Sequence, residues 1–81
     1  MISTTQHEAI QQGMVFEHYK GKRYKIVAIA HHHEDLSLYV VYQGLYTAQE
    51  FGDYPVWIRP IMMFLEEVII DGKTVPRFKN V

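Results

Sequence analysis

The sequence predicts a mainly β protein, a small, partly open barrel of the SH3-like kind with a short helical turn before the penultimate strand. Three observations carry this expectation. Branched and aromatic residues come in short runs punctuated by Gly, Pro and Asp, which is the composition of a small β protein and not of a helical bundle. Two of the interruptions, Lys20-Gly21-Lys22-Arg23 and Asp71-Gly72, have hairpin character. The third is size: a domain this small hides only ~60–70% of its unfolded surface, so its core must be rich in large side chains. The 81 residues supply them, with six tyrosines, four phenylalanines and one tryptophan. A small α+β roll is the alternative architecture.

Thr5 followed by Glu8 fits a capping box and Gly13 a stop, so a short helix is expected over residues 6–12, within an N-terminal extension covering 1–12. The single β domain then occupies 13–81. Runs 15–19 and 24–31 flank the first turn. In the second run Tyr24, Ile26, Ala28 and Ala30 would share one face and Val27 and Ile29 the other, which marks a central strand apolar on both sides. A third run, 38–45, is entered through His33-Glu34-Asp35, and 46–55 reads as a loop. The fourth strand is 56–59, with Val56 and Ile58 expected on the core face. Pro60 suits the first position of a helix, after which Ile61, Phe64 and Leu65 would share a face and plug an open barrel end. Val68-Ile69-Ile70 returns to strand, and 74–78 pairs back as an edge because Pro76 cannot donate to a ladder. Ile26, Val40 and Phe64 are the expected core.

Net charge is −1, which gives no whole-molecule field for nonspecific binding to nucleic acid. Lys20, Lys22, Arg23 and Lys25 nevertheless cluster at one turn, either as a local basic rim or simply as solvated turn charges. There is no cysteine, hence no disulfide or thiolate metal site. The first residues lack the basic and apolar regions of a signal peptide, and no apolar run approaches the ~20 residues of a membrane span. A soluble, cytoplasmic protein without membrane contact is expected.

His31 and His33 share a strand face and would need a third ligand to hold zinc or copper; His18, Glu34 and Asp35 are the only nearby choices. Polar residues ending a strand are the plainer reading, so neither metal nor cofactor is expected. His18 lies on the face of Phe16, as a core-edge histidine or, if it meets His32 across the first hairpin, as half of a polar pair. No Ser-His-Asp or Cys-His arrangement and no glycine-rich phosphate loop is present. Trp57 and Arg59 share a face opposite Val56 and Ile58, where an aromatic beside a guanidinium can stack a base, a proline or a modified side chain. The structural alternative packs Trp57 under loop 47–54 and pairs Arg59 with Glu66 or Glu67. Tyr19 and Tyr42 would add walls, and Arg77-Phe78 repeats the theme with a plain salt bridge to Glu66 or Glu67 as its explanation.

The order of His18-Tyr19-Lys20-Gly21, Val40-Val41-Tyr42, Trp57-Ile58-Arg59-Pro60 with Met63-Phe64, and Pro76-Arg77-Phe78 resembles the small bacterial "domain of unknown function 1653" family over most of 13–78. That resemblance implies no assigned activity. It also implies a histidine, a small polar residue, a glutamate and a threonine ahead of the Val-Val-Tyr strand, which places the histidine at His32 and the glutamate at Glu34. His33 and Asp35 depart from the other two positions. The function expected is a noncatalytic recognition module binding a peptide, a nucleotide or a single strand of nucleic acid through His18, Tyr19, His32, Glu34, Tyr42, Trp57 and Arg59. The alternatives are a small hydrolase or transferase accessory using His18, His32 and Glu34, and a structural homo-oligomer, so that monomer and homodimer are both open.

Overall fold

A computed structural model describes residues 10–81. In chain order these form β1 (Val15–His18), β2 (Arg23–His31), β3 (Leu38–Gly44), β4 (Thr47–Ala48), β5 (Gly52–Asp53), β6 (Val56–Pro60), α1 (Ile61–Phe64), β7 (Glu67–Ile70), β8 (Lys73–Pro76) and β9 (Phe78–Asn80). Five of the strands make one antiparallel sheet in the order β6-β3-β2-β1-β9, while β4–β5 and β7–β8 are separate two-stranded hairpins. The fold is mainly β, with no closed barrel and a shape consistent with a partly open one. Of the helix expected over 6–12, residues 6–9 lie outside the described residues, and Gln12-Gly13 is a turn.

One face of the sheet carries the core. Phe16, Ile26, Val40, Tyr42 and Phe78 project from it, and Ile10, Leu38, Ile61 and Phe64 complete the buried set. Pro60 ends β6 and starts α1, whose single turn drops Ile61 and Phe64 onto the sheet. Leu65 has left the helix and is 39% exposed, so it does not share their face as expected. The rings interlock: Phe64 stacks on Phe78 at 4.1 Å between centroids, and Tyr42 meets both edge-on at 5.3 and 5.5 Å. Such pairs add ~0.5–1.5 kcal/mol beyond the area they bury, which suits a chain this short.

Two expectations about faces are corrected by the sheet itself. The register of β2 against β3 shifts between Ile26 and Ala28, so Val27 is a bulge that reverses the alternation. Ile26 and Ile29 therefore both face the core side, opposite Tyr42 and Val40, and Ala28 and Ala30 turn outward. In β6, Trp57 lies opposite Tyr42 and Arg59 opposite Val40, which puts both on the core side. Val56 and Ile58 are on the outer face, 59% and 64% exposed. The more apolar pair of an edge strand faces out here, because the phase of β3 decides the face.

The expected loop 46–55 contains the β4–β5 hairpin, which prolongs the β3–β6 ladder. Asp71 and Gly72 both take positive φ, 51° and 77°, as an Asp-Gly hairpin turn requires. The expected last strand is split. β8 pairs with β7, the chain steps across at Arg77, and Phe78 begins a strand paired with β1.

Candidate functional site

Because Trp57 and Arg59 share the core side of the sheet, they stand half-buried at the margin of the aromatic core instead of on a free surface. Arg59 Nε donates to the Tyr42 hydroxyl at 3.2 Å, and its guanidinium carbon lies 5.5 Å from the centre of the Phe78 ring. Among the described residues the ion pairs are Arg23–Glu17, His32–Asp35 and Arg77–Glu66, so no described carboxylate pairs with Arg59. Arg77 makes the salt bridge expected of it, to Glu66 at 2.8 Å, and the one weighed for Arg59 with Glu66 or Glu67 does not form among the described residues. Tyr42 is buried and offers no stacking wall. It serves the site through its hydroxyl, which orients the guanidinium.

Trp57 is half-buried, with Phe51 of the 47–54 segment edge-on to it at 5.1 Å. Its indole N–H donates to the Tyr46 hydroxyl at 3.1 Å, and that hydroxyl lies 3.3 Å from the Tyr24 hydroxyl. Lys22 Nζ sits 4.4 Å from the centre of the Tyr46 ring. Burial, the bond to Tyr46 and the neighbouring tyrosines push the Tyr24 phenol well above its ordinary range. The Tyr24 phenol is thus uncharged and can only donate, accept or bridge.

His18 lies opposite Phe78 in the β1–β9 ladder and meets its ring edge-on at 5.0 Å. The Lys20 backbone N–H donates to His18 Nδ1 at 3.1 Å, which leaves Nε2 to carry the proton of the neutral ring. Burial first, then the charges of Arg59, Arg77 and Lys20, lower its pKa from 6.5. Tyr19 tilts against His18 at 4.4 Å and is 37% exposed. Beside them a cleft of about 480 Å³ runs to Ile70, Val75 and Pro76 of the β7–β8 hairpin. Arg77 Nε is buried among the described residues without a hydrogen-bond partner.

His18, Tyr42, Trp57 and Arg59 are therefore brought into one region, with Tyr19 at its margin. His32 and Glu34 are not. His18 adjoins the start of β2 and His32 follows its end, and a nine-residue strand spans about 30 Å. The polar pair of His18 with His32 does not form. His32 Nδ1 instead accepts the Glu34 backbone N–H at 3.1 Å and lies 3.5 Å from Asp35. Asp35 accepts both the backbone N–H and hydroxyl of Ser37, and those bonds hold its pKa below the ordinary carboxylate value. This is a self-contained turn. Among the described residues no group of three His, Cys, Asp or Glu is placed to hold a metal.

Tyr24, Tyr46 and Lys22 build the other wall; the sequence pointed to Lys22 only as part of a basic rim and to Tyr24 only as a strand residue, and placed none of the three at the site. Tyr46 fell in an expected loop, and only the ladder through Tyr54 N–H to Tyr46 O, 2.9 Å, reveals that it continues a strand pair.

Residues 14–80 match a family described as "Protein of unknown function (DUF1653)". The chain is also similar to a solved structure, the crystal structure of a DUF1653 protein from Bordetella bronchiseptica. The two are 28% identical, the match covers 91% of this chain and 90% of that one, and the TM-score is 0.76. No functionally curated protein matches the chain.

Proposed function

The chain belongs to the DUF1653 family, whose description assigns no activity, and we propose that it is a noncatalytic recognition module for a small anionic ligand carrying a planar ring, of the nucleotide type. The observation that carries this reading is Arg59. A half-buried guanidinium, steered by the Tyr42 hydroxyl and set against Phe78, keeps its two terminal NH2 groups without a described carboxylate. That planar fork suits a phosphate or carboxylate. Neutral His18 adds an Nε2–H donor nearby, Lys20 and Lys22 add charge at the margin, and Tyr19 has an exposed ring for stacking. A net charge of −1 favours a free nucleotide or strand end over a long polyanion.

Among the described residues the same region contains no nucleophile with an adjacent base. His18, His32 and Glu34 stand at opposite ends of β2, which removes support for a catalytic use of those three together. Titration of Trp57 fluorescence with a nucleoside monophosphate, the matching nucleoside and inorganic phosphate tests the proposal. The monophosphate should bind at least tenfold tighter than either half, and Arg59→Lys should lose most of that advantage. Equal or absent response to all three would overturn it.

A further inference from the structure

β6 is an end strand of the five-stranded sheet, and the phase of its hydrogen bonds follows from one contact. Gly44 N–H donates to Pro55 O at 2.7 Å, continuing the register in which Gln43 faces Val56 and Tyr42 faces Trp57. Bonded and non-bonded pairs alternate along an antiparallel ladder. Trp57 and Arg59 therefore bond β3, while the backbone N–H and C=O of Val56 and Ile58 point away from the sheet. The side chains of those two residues are the exposed ones of the outer face, next to Val27, 38% exposed, and half-buried Val41. Proteins usually blunt such an edge with a lysine, an internal proline, a bulge or a covering segment. Among the described residues β6 has none of these before Pro60, and its one charge, Arg59, is turned inward. Two other edges differ. β9 is three residues long and carries Lys79, and β8 ends in Pro76.

We propose that β6 pairs antiparallel with β6 of a second copy about a twofold axis at Trp57, joining the two sheets into one. In that register Val56 of each copy faces Ile58 of the other, so every outward N–H and C=O of the two residues finds a partner. Arg59 then faces Pro55 of the second copy and no like charges are opposed. A register centred on Ile58 would set Val56 against Pro60, which has no N–H to give. The edge is thus complementary to itself in this alignment. Val56 and Ile58 become cross-strand neighbours on the outer face, and the two Trp57 side chains meet on the inner face, so each ligand region is bordered by an indole from the other copy.

The absence of cysteine permits a direct test. Val56→Cys and Ile58→Cys are made separately and oxidised alone and mixed. Bonded antiparallel pairs have Cα atoms ~5.5 Å apart, within disulfide range. The mixture should give the mixed disulfide several-fold faster than either variant gives its own. In parallel, light scattering of the unmodified protein should show twice the 9.6 kDa monomer mass, and Ile58→Lys should return it to the monomer while keeping its β circular dichroism. A monomer mass at all concentrations, or a dimer that survives Ile58→Lys, overturns the proposal, as does equal cross-linking of each variant with itself.

Discussion

Gly44→Ala should destabilise this protein although nothing in the backbone forbids it. Gly44 is buried in β3 and does not take positive φ, so an alanine there would normally stabilise by ~0.4–1 kcal/mol through the unfolded chain. Its Cα, however, is covered by the Tyr46 ring: a Cβ would stand 2.7 Å from Tyr46 Cζ. The ring cannot yield freely, because its hydroxyl accepts the Trp57 indole N–H and lies against Tyr24, and Lys22 sits over its face. Displacing it gives up two hydrogen bonds at ~0.5–1.5 kcal/mol each and one exposed cation–π contact at ~0.5–1. The net expectation is a loss of about 1–3 kcal/mol. Urea unfolding followed by Trp57 fluorescence measures it, with a shifted emission in the folded state because the indole loses its partner. In a Tyr46→Ala background the same substitution should become neutral or stabilising, and that coupling is the decisive feature. A Gly44→Ala protein as stable as the parent, with unchanged emission, would show that Tyr46 does not rest on Gly44.

Core truncation comes next: Ile26→Ala, Val40→Ala and Phe64→Ala remove side chains at 1%, 0% and 1% exposure, and each should cost roughly 2–5 kcal/mol in urea unfolding, enough to unfold a domain of about 5 kcal/mol. For His18 the folded pKa lies below the unfolded value of 6.5, so the unfolded chain binds more protons in the window beneath 6.5. Stability should therefore fall as pH drops through that window and level off once the folded imidazole is charged; His18→Gln should flatten the melting temperature across it. Purified protein should carry no stoichiometric zinc, and a chelator should leave its melting temperature unchanged, since His31 and His33 have no third ligand grouped with them among the described residues.

Strand positions were legible because their ends are set by local chemistry. Gly21, Asp71-Gly72 and Pro60 act through their own backbones, and the observed strands begin or end within three residues of them. Ile26, Val40 and Phe64 were legible as core for a similar reason, being large apolar residues within apolar runs. Faces were harder. The bulge at Val27 and the partner phase that turned Trp57 and Arg59 inward are properties of pairing, not of one strand's composition. The residues 74–78 look like one strand, yet the Arg77 N–H closes the β7–β8 ladder on Glu66 O, while Arg77 O takes the Tyr19 N–H and starts a second ladder with β1. The pairing of Trp57 with Arg59 on one face survived these shifts because it depends only on their spacing of two. Which neighbours they would meet did not, since Tyr24, Tyr46 and Phe78 arrive from three other parts of the chain.

The central claim is that Arg59 is held for a ligand and not for the fold, and Arg59→Ala tests it through unfolding and binding on the same sample. Arg59 is only half-buried, so water can replace its Tyr42 bond and its contact with Phe78, and the expected loss of stability is about 1 kcal/mol. Binding of a nucleoside monophosphate, read from Trp57, should weaken by tenfold or more, since a charge-assisted contact contributes ~1.5–3 kcal/mol. A loss of 3 kcal/mol or more in stability, the range of ~3–5 kcal/mol seen when one side of a buried ion pair is removed, would make Arg59 part of the scaffold and contradict the account. So would a stable Arg59→Ala protein that binds the monophosphate as tightly as the parent.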